Sequence, residues 1–250
     1  MDEFASGLQY DDAMTTAGHP PEKRPMRIGL RRYSAAEFLV ALVVLLIVAP
    51  FVELFRNGLL VESVLMTLVL VSGVLAVGKS RRTLVVAIIF VTPALVARWT
   101  NHLRPDLVSV EFALISGLLF IGFLILRFLA FVLRAPRVNS EVLCAGVSTY
   151  LLLGLLWSFA YRLVTELDPH AFAFTVVGTP DGPLIGYKSI YFSLITLTTV
   201  GYGDIVPVSN VARMLSAMEA ITGTLFITVL IARLVALYSS QTPAAGASQK

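Results

Sequence analysis

Apolar runs long enough to cross a bilayer alternate with short clusters of charge along most of this chain. A helix needs about 20 apolar residues to span roughly 30 Å of hydrocarbon. Six stretches approach that length: 35–55, 59–77, 83–99, 107–133, 142–164 and 208–238. Each predicts a membrane-crossing helix. A seventh, 187–198, is apolar but too short to cross, and it predicts a re-entrant helix. Pro93 falls inside the third span and Pro50 near the end of the first, where a missing N–H and a ring clash should kink or shorten a helix. The link at Arg56, Asn57 and Gly58 is so short that the first two spans must form an antiparallel hairpin.

Composition agrees: 57% of residues are hydrophobic and 14% charged, with a mean hydropathy of +0.83, outside the range of water-soluble domains. The fold class expected is an all-α membrane protein. One cysteine, Cys144, excludes an intrachain disulfide framework or a cysteine-based metal site and reads as a small packed thiol. The formal net charge of +3 is too small to suggest nucleic acid as a partner.

The position of the charge says more than its sum. Residues 1–34 are polar and rich in proline, lack the order of a cleaved secretory peptide, and read as a disordered cytoplasmic tail. Lys23, Arg24, Arg27, Arg31 and Arg32 precede the first span, Lys79, Arg81 and Arg82 join spans two and three, and Arg134 and Arg137 join spans four and five. All three groups fall on one side. The other side has the scattered Arg56, Arg98, Arg104, Arg162, Lys188 and Arg213, so both termini are expected in the cytoplasm, as an even number of spans requires. Trp99 and Tyr33 stand at span ends as interfacial anchors. Arg27, Arg31 and Arg32 offer charge to anionic lipid, although an orientation signal explains them as well. His19, His102 and His170 are isolated in sequence.

Between the short helix and the last span lies Thr198-Thr199-Val200-Gly201-Tyr202-Gly203-Asp204. Non-helical backbone at membrane depth is tolerated only where it is buried in protein or lines water. Glycine at 201 and 203 opens conformations closed to residues with a Cβ, so successive carbonyl oxygens can turn toward one axis. A column of carbonyls is a ligand for a hard cation. Four chains around an axis would stack rings of oxygen that replace an ion's hydration shell.

These residues resemble the selectivity filter of the potassium channel family, a loop that serves as a standard case of carbonyl coordination. The likeness extends through 191–198, similar to the family's pore helix, and through Asp204 and Pro207, similar to its exit. The resemblance implies that the carbonyls of Thr199, Val200, Gly201 and Tyr202 coordinate potassium, the permeant ion rather than a cofactor, with Gly203 closing the filter and the Thr199 hydroxyl completing the innermost site. Thr198, Tyr191, Phe192 and Asp204 would support the filter, the two aromatics as a cuff behind it and the side chains of Val200 and Tyr202 facing away from the axis. Some family members carry a glutamate at the position of Ile195, bonded behind the filter to the aspartate. Here Asp204 lacks that partner, so gating at the filter should differ.

By the same resemblance the last span lines the inner pore. Gly223 stands at the family's hinge position, and close packing against the pore helix explains it equally well. Thr224, Ile227, Ile231 and Val235 would face the cavity, with Ile231 or Val235 closing it by dewetting. Glu219, an ionisable group inside that span, reads as a gating or filter-support residue or as a structural contact. Arg233 is expected to snorkel.

Six spans with one loop are similar to the voltage-gated-like channels, with prokaryotic members as the nearest type. The resemblance in motif covers about 142–238; over the first four spans it is topological. The organisation expected is a tail (1–34), a four-helix sensor-like domain (35–135), a pore domain (140–238) with pore helix 187–198, filter 199–203 and inner helix 208–238, and a short tail (239–250). Voltage sensing needs several arginines on the fourth span, since one charge crossing 100 mV contributes only about 2.3 kcal/mol. That span has Arg127, itself explained by snorkelling or a local pair, so weak or no voltage dependence is expected. Glu62 and Glu111 read as remnant counter-charges or interfacial groups. One loop per chain implies a homotetramer. Catalytic arrangements are absent from the sequence, and Glu166, Asp168 and Asp181 read as a solvated loop, so an enzyme is not expected. A transporter with repeated or broken helices fits no better.

Overall fold

The structure, a computed structural model, describes residues 34–54, 58–78, 80–104, 107–175 and 183–239. The expectations on the tail before residue 34, on Arg56, Lys79, Asp181 and the tail from 240, and on the side chain of His102, lie outside the described residues.

Among the described residues, seven α-helices and two short strands follow one another: α1 (Ala35–Val48), α2 (Gly58–Val77), α3 (Arg81–Leu103), α4 (Val110–Arg134), α5 (Ser140–Leu167), β1 (Phe172–Phe174), α6 (Tyr187–Leu197), β2 (Ile205–Pro207) and α7 (Asn210–Ser239). Six of the helices are long and apolar enough to cross a membrane. The molecule is an all-α membrane protein; among the described residues one antiparallel strand pair forms, in which Phe172 faces Pro207 and Phe174 faces Ile205.

Polar residues mark where these helices begin. The Ser34 hydroxyl accepts from Glu37 N while the Glu37 carboxylate accepts from Ser34 N, a reciprocal cap that satisfies two otherwise orphaned donors. Ser80, Ser109 and Asn139 cap α3, α4 and α5 in the same sense. The two prolines act differently. At Pro50 the α-helix gives way to a 3₁₀ turn, Ala49–Leu54. Pro93 neither ends nor shortens α3, which runs on to Leu103.

Only residues 135–139 separate α4 from α5, so the two pack as an antiparallel pair. Gly117 of α4 lies against the Phe159 ring of α5. The four-helix part therefore rests on the α5 of its own chain. Phe38 of α1 stacks on Phe128 of α4 at 5.1 Å, within a core that also takes Leu42, Phe120, Leu124, Leu152 and Leu155. Lipid tails are as apolar as this core, so burial alone gives little preference for one helix arrangement over another. Polar contacts supply it. Arg98 of α3 pairs with Glu62 of α2 at 3.0 Å, and Trp99 Nε1 donates to Thr67 Oγ1 at 3.2 Å. Trp99, expected as an interfacial anchor, thus ties α3 to α2 as well.

Arg233 departs from expectation more clearly. Its guanidinium donates to the carbonyls of Leu133 and Ala135, at 3.1 and 3.3 Å, taking up acceptors at the C-terminal end of α4. Those carbonyls have no partner within their own helix, and a cation there also meets the negative end of the helix dipole. Instead of snorkelling, Arg233 joins α7 to the α4–α5 junction. Arg127 is committed locally, its Nη2 lying 3.5 Å from Thr83 Oγ1.

Candidate ion-conduction loop

The short helix α6 ends at Leu197, and Thr198 caps it in a helical conformation while its hydroxyl donates to Leu194 O at 2.7 Å. The next residues turn back onto the helix end. Thr199 N donates to Thr196 O at 2.9 Å, Val200 N to Ile195 O at 2.9 Å and Gly201 N to Ile195 O at 3.2 Å. The last carbonyls of α6, which have no partner within the helix, are satisfied by the loop that follows it. Meanwhile the carbonyls of Thr199, Val200, Gly201 and Tyr202 accept no hydrogen bond from any described residue.

Backbone angles explain how donors and acceptors separate. Thr199, Gly201 and Gly203 have φ of 60°, 50° and 78°, while Val200 and Tyr202 between them do not have positive φ. In an ordinary extended chain successive carbonyls point to opposite sides. Reversing the sign of φ at every second residue brings them toward one side. Open space surrounds a Cβ built on Gly201 or Gly203, so conformation rather than room is what calls for glycine there. The sequence motif identified both glycines. It named Thr199 as a ligand but did not foresee that this β-branched residue takes the left-handed region, a placement that costs about 1–3 kcal/mol and marks functional sites more often than ordinary turns.

Three layers of contact hold the loop from behind. First, Tyr191 Oη donates to Asp204 Oδ2 at 2.7 Å. Asp204 does lack a glutamate partner at Ile195, but it is not left alone: a tyrosine one helical turn earlier supplies the bond. Second, Thr175 Oγ1 donates to Gly203 O at 2.6 Å and Thr175 N to Asp204 O at 2.9 Å, continuing the β1–β2 pairing. The segment read as a solvated loop before α6 thus contributes a strand to the site, a correction to the sequence reading. Asp168 and His170 in it are exposed, and Glu166, expected in the same loop, is instead in the last turn of α5, also exposed. Third, the rings of Tyr161, Phe172 and Phe192 meet edge to face at 4.9 to 5.6 Å, joining α5, β1 and α6. Phe192 is buried in this cluster and Tyr191 faces the loop, so the two adjacent aromatics divide their work.

Glu219 of α7 is fully buried and meets both neighbouring helices. Tyr161 Oη of α5 donates to its Oε2, and Ser193 of α6 places its hydroxyl 2.5 Å from Oε1 and 2.6 Å from Gly154 O. Each carboxylate oxygen therefore has a hydroxyl partner, which a buried carboxylate at membrane depth requires. Serine and tyrosine so far away in sequence leave no local signal, and only Glu219 itself was legible.

Gly223 sits one turn further along α7. A Cβ there would lie 2.2 Å from Leu197 O and 3.0 Å from Leu197 Cδ1. Close approach of α7 to the end of α6 is what demands glycine at this position. Beyond it, Thr224, Ile227, Ile231 and Val235 are all exposed in the single chain, together with Ile221, Leu225 and Val229 on other faces of the helix. Only 11% of the α7 span is buried, the smallest share among the six. The side chains of Val200 and Tyr202 are likewise exposed.

A family model described as an ion channel matches residues 142–240. Two-pore potassium channel 4 of Arabidopsis thaliana is 43% identical over 47 residues, which is 19% of this chain and 16% of that protein. The calcium-gated potassium channel TvoK of Thermoplasma volcanium is 46% identical over 37 residues, 15% of this chain and 11% of its own length. A voltage-gated potassium channel of Aeropyrum pernix is 37% identical over 65 residues, 24% of this chain and 22% of that one. The matches thus span less than a quarter of each relative's length. No solved structure gives a significant match. Residues 142–240 are thus similar to an ion channel family, and the relatives matched within this chain are potassium channels.

Proposed function

We propose that the chain conducts potassium ions passively across a cell membrane, as a homotetramer in which four copies set residues 199–203 around one axis. The observation that carries this reading is the separation of donors from acceptors in the loop. Amides of 199–201 are engaged by α6, while four successive carbonyls have no described partner and are free for an ion. Thr199, Val200, Gly201 and Tyr202 then form the coordinating rings, and binding must be favourable enough to admit an ion yet divided among neighbouring sites so that it leaves. Asp204 and Tyr191 stiffen the outer end of the filter and Thr198 its base.

Four copies also account for the bareness of α7. Its exposed faces become an inner pore wall of Thr224, Ile227, Ile231 and Val235 on one side and subunit contacts on another. Gly223 serves packing beneath the filter, and Glu219 fixes α7 to α5 and α6. Both termini lie in the cytoplasm, where Arg81, Arg82, Arg134 and Arg137 fall on one side. Anionic lipid at Arg27, Arg31 and Arg32 belongs to the same orientation. With Arg127 as the one arginine well inside α4, voltage dependence is weak or absent. No catalytic step is part of this reading.

The test is flux from purified protein in liposomes under a potassium gradient, with currents recorded over voltage. Wild type passes potassium in preference to sodium with a shallow voltage response. Gly201→Ala abolishes flux while the oligomer survives, because a Cβ at φ +50° disfavours the loop conformation by about 1–2 kcal/mol in each chain. Undiminished flux in that variant overturns the filter assignment; conductance rising steeply over a few tens of millivolts overturns the voltage reading.

A further inference from the structure

A cavity of about 270 Å³ opens among α2, α3, α4 and α5, well away from the loop. At liquid density that is room for about nine water molecules. Its walls are apolar where Met66, Leu70, Leu114 and Phe159 stand, and polar where Glu62, Arg98, Asn101 and Arg162 converge. Among the described residues, six buried side-chain polar atoms lack a hydrogen-bond partner, and three of them line this one cavity: Arg98 Nε, Asn101 Oδ1 and Arg162 Nε.

The charges do not balance. Arg98 is paired with Glu62 at 3.0 Å, whereas Arg162 forms no ion pair with any described residue. Two guanidiniums against one carboxylate leave the cavity with one excess positive charge. An unpaired guanidinium at the edge of an apolar cavity is unfavourable unless an anion reaches it. The orphaned groups also specify what kind of anion fits. Two N–H donors lack an acceptor, the amide oxygen of Asn101 lacks a donor, and the aliphatic and Phe159 walls suit an apolar body.

We infer that this cavity is a binding site for a compact organic acid: an anionic oxygen group held between Arg162 and Arg98, an apolar body against Leu114 and Phe159, and a hydroxyl or amine donating to Asn101. Its place explains why it would matter to the rest of the molecule. Arg162 and Phe159 belong to α5 within one turn of Tyr161, which holds Glu219 of α7. An occupant that draws the α5 end toward α3 acts on the same helix that supports the loop. The site does not depend on what the loop conducts, and its test is a binding measurement. The same anion chemistry is offered by a free acid and by a lipid phosphate, and the experiment separates the two.

The full chain is placed in nanodiscs of zwitterionic lipid and titrated calorimetrically with 4-hydroxybenzoate. Saturable binding is expected, and the uncharged 4-hydroxybenzamide should bind about tenfold more weakly, as for a lost charge-assisted hydrogen bond. Arg162→Gln should weaken 4-hydroxybenzoate by about the same factor. Leu114→Trp, which fills the cavity and leaves both arginines in place, should also remove binding. If the acid gives no saturable heat, the second arm compares thermal stabilisation of wild type and Arg162→Gln by phosphatidylglycerol in the disc. Stabilisation lost in the variant assigns the site to a lipid phosphate. No saturable heat together with equal stabilisation of the two proteins overturns the inference, as does equal affinity for the acid and the amide.

Discussion

Replacing Gly223 by alanine is the most informative single change in this molecule, because it sets two roles of one residue against each other. The methyl would stand 2.2 Å from Leu197 O, and real Cβ contacts stay above 3.0 Å, so the gap must widen by about 0.8 Å. The obstacle is backbone, and no side-chain rotamer relieves it. Leu197 is two residues before Thr199, and its carbonyl also lies within 3.4 Å of Tyr150 Oη. Either α7 withdraws, straining the Glu219 bonds to Tyr161 and Ser193, or the end of α6 shifts and takes the first carbonyl of the loop with it. Overpacking of this kind costs about 1–3 kcal/mol per chain. We expect the thermal midpoint of the purified oligomer to fall and, in liposomes, the potassium-to-sodium flux ratio to fall with it. A hinge role predicts altered opening with both of those quantities preserved. An unchanged midpoint and an unchanged flux ratio would refute the close approach of α7 to α6.

Tyr191→Phe removes the hydroxyl that Asp204 accepts, and a charge-assisted bond of about 1.5–3 kcal/mol goes with it. Sustained potassium current should then decay faster at constant driving force in single-channel records, and unaltered kinetics would show that the bond is incidental. Tyr161→Phe leaves one oxygen of the buried Glu219 without its donor, so the oligomer should unfold at a lower temperature by thermal-shift assay. Arg233→Met keeps the aliphatic stem but frees the carbonyls of Leu133 and Ala135, uncoupling α7 from the α4–α5 junction. Open probability should change while ion selectivity stays as in wild type; a change confined to selectivity would place the role of Arg233 elsewhere.

The six spans were legible because a bilayer sets their length and demands apolar side chains, whatever their neighbours are. All six apolar runs became helices, with ends moved by a few residues where Ser80, Ser109 and Asn139 cap them. The loop at 199–203 was legible because only a few residue types permit alternating positive φ. Gly223 was only half legible. Its position suggested a hinge as readily as packing, and the 2.2 Å approach to Leu197 O supplies a packing reason for glycine there.

Sequence by itself determined the membrane class, the number of spans and the special backbone of the loop at 199–203, since each follows from local hydrophobicity or local backbone freedom. Tertiary structure alone decided the partners. Tyr191 reaches Asp204 across 13 residues, Ser193 reaches Glu219 across 26, Tyr161 reaches it across 58 and Arg233 reaches Leu133 across 100. It also decided that a strand from the loop before α6 pairs with Ile205–Pro207, and that Arg98, Asn101 and Arg162 share one cavity. In a medium as apolar as the protein's own core, hydrophobic pattern cannot say which helix faces which. Those choices rest on a few polar side chains satisfied at long range, and nothing in the residues beside them reveals where their partners lie.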